Sequence, residues 1–444
     1  MVKKVFSLIL IISLILIPFK VSAYEVTGFD ITAKAGMLAS LDTGEILYEK
    51  NIDQKVFPAS ITKIMTVILY LEDEKYSPEG KITMTEEVLK MILGTGSAVS
   101  NLVAGETFTQ LDLAYMTLMS SFGDCAYLGA IFYEGSVEAF VDKMNYKAQE
   151  LGLTGTKYAN PIGLHDENNY TTVRDIRTLT QYALQNETFK KIFGTVRHTV
   201  PATNMTPHTR ILATTVFIQD PNTSLANTYY RPVDGGKTGY TDPAGRCLVT
   251  YAEEDGITYI CVVMNCPVKN AAGVKVRYEF AETKQLYEWV FNEFEYREVY
   301  DTATPVGECP VDLSMDTDTV ALALKAPVNA VVPKAAEMSS FKVEVELLNE
   351  RAEAPIALGQ ELGTATIKYA GETLATVPVV AINAVDRSGM LAFVKGVTDF
   401  FGGSIFAIII LVILLLIVSF IVYIIIINRN RRKRRRNRRR VRIK

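Results

Sequence analysis

The sequence is poor in histidine, with only His165, His198 and His208 among 444 residues. Three scattered imidazoles make a zinc centre a poor fit, and the five cysteines (Cys125, Cys247, Cys261, Cys266, Cys309) show no metal-ligand spacing. Five is also an odd number, well below the density of a disulfide-stapled scaffold. Buried free thiols are therefore the expectation. Basic residues are scarce in the body and crowded at the end. The last 17 residues, 428–444, hold 12 Lys and Arg and no acid. Without that tail and without Lys3, Lys4 and Lys20, the remainder carries 31 basic against 49 acidic residues, a formal charge of about −18. A body so acidic excludes nucleic acid and other polyanions as its general partner.

The two ends carry long apolar runs of different kinds. At the start, Lys3 and Lys4 precede an apolar run from Val5 to Pro18, followed by Val21-Ser22-Ala23. A charged start, a short apolar core and small residues at the cut make an export signal, with cleavage expected after Ala23. At the other end, residues 405–427 form 23 uncharged positions dominated by Ile, Leu and Val. That length spans a bilayer with some tilt. Basic residues just beyond a span stay in the cytoplasm, where they also meet anionic lipid heads. The expected division is a signal (1–23), a first domain (24–294), a small β-rich domain (295–385), a linker (386–404), a membrane helix (405–427) and a basic tail (428–444).

The chemistry centres on Phe57-Pro-Ala-Ser60-Ile-Thr-Lys63-Ile. Ile61, Ile64, Met65, Ile68 and Leu69 recur at helical spacing, which predicts a buried helix starting at or near Ser60. Residues three apart share a helix face, so the Ser60 hydroxyl lies beside the Lys63 amine. In the first turn, unpaired N–H groups favour developing negative charge. A serine needs a base to become a nucleophile, and a lysine serves only when burial or a second cation lowers its pKa. A second Ser-x-x-Lys, Ser339-Ser-Phe-Lys342, opens the alternating segment 341–347. Positions three apart on a strand face opposite ways, so that copy carries no chemistry.

Along the body, residues 36–50 read as a hairpin turning at Asp42-Thr-Gly44. Residues 83–105 are small and polar, with 94–97 an exposed loop. Helices are expected over 111–119, 126–132, 137–151 and 173–184, with a turn-rich loop at 160–172. Strands follow at 235–240, 247–252 and 257–264, then an amphipathic helix over 280–291. His165-Asp166 suggests a Ser-His-Asp triad, but adjacent positions rarely align base and orienter. His165 reads better as a loop-fixing residue near a rim. Beyond 294, the segments 320–324, 341–347, 365–369 and 374–380 alternate as short strands.

Three stretches belong together by order and spacing: Ser60-Ile-Thr-Lys63, Ser121-Phe122-Gly123 and Lys237-Thr238-Gly239. With Asn160-Pro-x-Gly-Leu-His-Asp and Val233-Asp-Gly-Gly-Lys-Thr-Gly-Tyr, this text resembles the penicillin-interacting serine enzymes. Within them it is similar to the D-alanyl-D-alanine carboxypeptidases, the low-molecular-mass penicillin-binding proteins of peptidase family S11. The resemblance implies an α+β fold of the β-lactamase/transpeptidase type, an antiparallel sheet flanked by helices plus a helical lobe. A small all-β domain and one C-terminal transmembrane helix also suit the family. It implies Ser60 as nucleophile, Lys63 as base and Ser121 as proton relay. Lys237, Thr238, Gly239 and Tyr240 would bind substrate, with the Ser60 and Tyr240 N–H groups as oxyanion hole. No cofactor or metal is called for. The implied partners are peptidoglycan stem peptides, β-lactams as inhibitors, and the membrane.

The chain departs from that family at one place. Gly123 stands where the third motif residue, Asn, belongs, and glycine offers no side chain to bond a substrate amide. A hydrogen bond lost from a preorganised site costs about 10²–10³ in rate. A working carboxypeptidase, a catalytically weak peptidoglycan-binding protein and a β-lactamase therefore stay open. The last requires an additional carboxylate base, for which no motif is found.

Overall fold

The computed structural model describes residues 30–225 and 227–441. The expected export signal and its cleavage point after Ala23 lie outside the described residues. Contact density divides the chain into two units, one holding residues up to 297 with 329–338, the other residues 298–328 with 339–444.

The first unit is organised by alternation. Strands β1 (Ala35–Ser40) and β2 (Ile46–Lys50) form the expected hairpin, and Gly44 takes φ +78° in its turn. Two short antiparallel pairs lie elsewhere, β3 (Lys81–Thr83) with β4 (Thr107–Thr109) and β5 (Arg197–Val200) with β6 (Arg210–Ala213). Strands β7 (Val233–Thr241), β8 (Gly245–Glu254) and β9 (Ile257–Cys266) complete a five-stranded sheet. Its order is β2-β1-β9-β8-β7, antiparallel throughout, which leaves β7 at an edge. Successive residues point to opposite faces. Leu38, Leu248, Cys261 and Val263 pack with Phe280, Leu286, Tyr287 and Val290 on one side. Met37, Ala39, Val249, Ile260, Val262 and Met264 pack on the other with Ile64, Ile68, Ile176 and Leu179.

The helices follow from the same patterning. Helix α1 (Lys63–Leu71) is buried from Lys63 through Tyr70, as a helix apolar on all sides must be. It packs among α2 (Glu86–Ile92), α3 (Gln110–Leu118), α4 (Gly123–Glu134), α5 (Val137–Glu150), α6 (Val173–Ala183) and α7 (Glu187–Phe193). Helix α8 (Tyr278–Glu293) lies on the other face of the sheet. Two features of the 83–105 region differ from the sequence expectation. It contains α2, capped by Thr85, whose hydroxyl accepts from Val88 N, and its first residue, Thr83, ends β3. Only Val88 and Ile92 of that helix are buried, too few to give a periodic signal. Helix α4 starts at Gly123, three residues earlier than the apolar pattern suggests.

In the second unit, six strands run in the order Phe341–Leu347, Glu361–Tyr369, Glu372–Ala381, Thr319–Leu324, Pro305–Asp312, Ala352–Glu353. All four alternating segments read from the sequence fall inside these strands. Ser339 lies in a 3₁₀ turn (Met338–Ser340) ahead of the first, and Lys342 is exposed on it. The 386–404 segment, expected as a linker, is helical from Gly389 to Gly402. Its four glycines masked that signal. The helix Ser404–Val441 follows, and its stretch Ser404–Arg432 is long and apolar enough to cross a membrane. All five cysteines are free and buried.

One buried carboxylate ties the sheet's entry to α8. Glu282 accepts from Thr32 N at 2.6 Å, Thr32 Oγ1 at 2.5 Å and Ala33 N at 3.1 Å. Removing the acceptor strands three donors, so Glu282→Ala should lower stability by about 1–3 kcal/mol. Glu282→Gln, which keeps one acceptor, should lose less. Urea unfolding of both variants beside the wild type would check the order.

Candidate active site

The nucleophile candidate lies on a turn tighter than a helix. Residues Ala59–Thr62 form a 3₁₀ turn that runs directly into α1. In a 3₁₀ turn positions i and i+3 eclipse, which sets Lys63 over Ser60. Lys63 Nζ donates to Ser60 Oγ at 3.0 Å and to Ile162 O at 2.6 Å. The backbone is strained here, since Ala59 holds φ +46° immediately before the serine. Lys63 has no exposed surface. Burial disfavours the ammonium and brings its pKa from an ordinary 10.5 down to about 7, against the opposing pull of Asp124 and Cys125.

The loop at 160–164 fixes that geometry. Asn160 Oδ1 accepts from Gly163 N at 2.8 Å, Leu164 N at 2.9 Å and Ile162 N at 3.3 Å, and Asn160 Nδ2 donates to Leu164 O at 3.0 Å. This one amide turns the Pro161 and Ile162 carbonyls towards α1, where Thr66 Oγ1 donates to Pro161 O at 2.7 Å. Gly163 has φ +80°, and a Cβ there would fall 1.8 Å from Ala59 O. Only glycine permits that approach.

The second cluster joins the edge strand to α4. Lys237, on β7, donates to Ser121 Oγ at 3.0 Å and to Thr238 O at 2.9 Å. It too has no exposed surface. Burial, and after it the charge of Lys63, holds Lys237 well below the usual lysine range. Ser121 takes φ +63° just before α4. Thr238 Oγ1 lies 2.7 Å from Thr215 Oγ1. At Gly239 a Cβ would lie 2.8 Å from Pro58 O, so the missing side chain lets β7 run against the Ser60 turn. Tyr240 is exposed, its hydroxyl bonded to Asp242 and its ring 5.3 Å from the Arg246 guanidinium.

These groups share a cleft of about 620 Å³, whose lining includes Ser60, Ser97, Ser121, Leu164, Thr238 and Tyr240. The two lysines lie behind its wall, each behind one serine hydroxyl. All seven candidate residues from the sequence thus meet at one place: Ser60, Lys63, Ser121, Lys237, Thr238, Gly239 and Tyr240. His165 stands on the rim, its ring edge-on to Phe57 at 4.6 Å and 3.5 Å from Glu167. Among the described residues it makes no hydrogen bond with Asp166. Sequence reasoning did not single out Asn160 and Gly163 as supports, although the Asn-Pro-x-Gly text carried both. Asp124, open from the sequence as a stand-in for the missing Asn side chain, is engaged elsewhere. Its buried carboxylate accepts from Ser100 N at 3.0 Å and Ser100 Oγ at 2.6 Å, tying down the loop before it. Among the described residues no His, Cys, Asp or Glu cluster suited to a metal ion is found. What the arrangement can do is activate Ser60 with a neutral amine and hand protons through Ser121.

Comparison with known proteins agrees with this geometry. The family model described as D-alanyl-D-alanine carboxypeptidase (peptidase S11) matches residues 20–268, and that of the penicillin-binding protein 5 C-terminal domain matches residues 294–387. D-alanyl-D-alanine carboxypeptidase DacF of Bacillus subtilis is 31% identical over 82% of this chain and 88% of its own length. DacC of Escherichia coli is 28% identical over 83% and 88%. The crystal structure of penicillin-binding protein 5 from Haemophilus influenzae superposes with a TM-score of 0.61 at 26% identity, covering 82% of this chain and all of that one.

The approach of Gly163 to Ala59 yields a stability test. Gly163→Ala must abandon either the left-handed backbone or the contact, at a combined cost of about 2–4 kcal/mol. Thermal unfolding should show the loss. Labelling of Ser60 by a serine-directed acylating agent should fall with it, because the 3₁₀ turn has to move.

Proposed function

Since the chain belongs to the peptidase S11 family of D-alanyl-D-alanine carboxypeptidases, we propose that it removes the terminal D-Ala of peptidoglycan stem pentapeptides through an acyl-enzyme on Ser60. The observation that carries this reading is the buried Lys63 amine 3.0 Å from the Ser60 hydroxyl, with a pKa near 7. A neutral amine at that distance is a competent general base.

Neutral Lys63 takes the Ser60 proton as Oγ attacks the carbonyl carbon of the penultimate D-Ala. The Ser60 and Tyr240 N–H groups receive the oxyanion. Ser121, bonded to Lys237, relays that proton from Lys63 to the departing amine of the last D-Ala, which leaves Lys63 neutral again for the attack of water. Thr238 meets the substrate's terminal carboxylate, and that negative charge, drawn towards Lys237 behind the wall, raises the Lys237 pKa again. Gly239 keeps the edge strand against the Ser60 turn, so the acyl carbon reaches both clusters. Water then attacks the ester and frees the shortened peptide. A β-lactam, which mimics the D-Ala-D-Ala end, acylates Ser60 in the same way. The body acts on the outer side of the membrane, held by the helix from Ser404, with its basic tail in the cytoplasm.

One observation favours a second reading, that of a slow enzyme acting mainly as a binder of wall peptides. It is Gly123, which offers no side chain to the cleft. Intact mass of the wild type and of Ser60→Ala after exposure to a penicillin, with D-Ala release from a peptide ending in D-Ala-D-Ala, separates the two. The carboxypeptidase forms an adduct lost in Ser60→Ala and releases D-Ala. The binder forms the adduct and releases none. Absence of any adduct sinks both.

The pH dependence follows from Lys63. Its base form is the neutral one, which accumulates as pH rises through about 7. The second-order rate constant for acylation should therefore climb roughly ten-fold per pH unit below that point and level off above it. A profile flat from pH 5 to 9 would remove Lys63 from the role of base.

A further inference from the structure

The space that a side chain at position 123 would enter is occupied. A Cβ built on Gly123 would lie 2.4 Å from Ser97 Oγ and 3.1 Å from Ser97 Cβ, with Ile92 Cδ1 at 2.9 Å. Ser97 arrives from the loop between α2 and β4, whose residues 95–98 also line the cleft. That loop is held in place at several points. Gly123 N donates to Ala98 O at 2.8 Å. Asp124, the next residue, accepts from Ser100 N and Ser100 Oγ. On the other side, Thr95 Oγ1 donates to Ile92 O at 2.8 Å and accepts from Ser97 N at 3.3 Å. The start of α4 thus grips the loop just after Ser97, and Thr95, bonded to the end of α2, fixes it just before.

The Ser97 side chain is half-buried on the wall shared with Ser60 and Ser121. Among the described residues its hydroxyl makes no hydrogen bond. A hydroxyl that is fixed in place, faces a cleft and lacks a protein partner has one donor and two acceptor sites to offer. A substrate peptide that sheds water on entering needs such partners, because an unmet amide is costly once buried.

We propose that Ser97 is a substrate-contact residue, its hydroxyl bonding the peptide amide on the acyl side of the scissile bond in place of a side chain at position 123. This rests on the carboxypeptidase reading above and deepens it. Glycine at 123 is then the condition for a polar group delivered from the neighbouring loop. With the Ser97 hydroxyl where it stands, a side chain at 123 has no room, since both need the same volume.

The test uses the full chain in detergent. Acylation by a fluorescent penicillin and kcat/KM for D-Ala release are measured for the wild type, Ser97→Ala, Ser97→Gly and Ser97→Gly with Gly123→Asn. Thermal unfolding accompanies each. Ser97→Ala should lose about ten-fold in both rates, with unchanged Tm and an unchanged pH midpoint, because Lys63 is untouched. The double variant should recover several-fold over Ser97→Gly, since the emptied slot now admits an amide; a residue of merely structural importance would show no such rescue. Wild-type rates in Ser97→Ala overturn the inference and leave the carboxypeptidase reading standing. A folded double variant no faster than Ser97→Gly overturns the substitution of one polar group for the other. A wild type inert towards both penicillin and peptide overturns the carboxypeptidase reading and this inference with it.

Discussion

The structure of the first unit depends on keeping one amine dry. Lys63 is the one ionic side chain of a buried, mostly apolar helix, and the Ile162 carbonyl and the Ser60 hydroxyl are its hydrogen-bond partners. A charged ammonium in that position would cost several kcal/mol, so the fold favours the neutral form that can accept a proton. The packing around it preserves this state against the pull of Asp124 and Cys125. Asn160 aims the carbonyl, Gly163 lets the loop close on the turn, and the rest of α1 is buried and mostly apolar. The second lysine, equally buried, adds to the penalty against a second positive charge.

That dryness explains why the site stores backbone strain. Ala59 and Ser121 both occupy the left-handed region without being glycine. Each immediately precedes or is a serine of the cleft, and each is held by a helix that starts just after it. Such residues cost about 1–3 kcal/mol apiece and persist only where the surroundings over-determine them. Here the surroundings are the core packing of α1 and the capture of the α4 start by the loop around Ser97.

Much of this was legible in the sequence because the chemistry uses short, ordered words. Ser60-x-x-Lys63 marked a buried helix start, Lys237-Thr-Gly lay in a strand, and the short apolar run at 257–264 marked another strand of an antiparallel sheet. Supports were harder to read. Asn160 and Gly163 looked like ordinary turn residues, since a requirement for close backbone approach leaves no trace in hydropathy. Ser97 was hidden for a related reason. It belongs to a polar loop far from Gly123 in sequence, and only the fold brings its hydroxyl into that residue's empty volume. The short helix at Glu86–Ile92 and the helix at Gly389–Gly402 were missed because one buries two residues and the other is interrupted by glycines.

The cysteines carry a consequence for how the chain matures. All five thiols are interior, and burial pushes each of their pKa values upward. A protonated, enclosed thiol neither attacks a disulfide nor yields readily to oxidants. The native state therefore needs no oxidase and no shuffling of crosslinks to be reached, and it is indifferent to the redox poise of the compartment in which it folds. Vulnerability is confined to the interval before the cores close, when five reactive sulfurs are open to solvent at once. Closure of the β-sheet, which carries three of them, ends that exposure for most of the sulfurs at once.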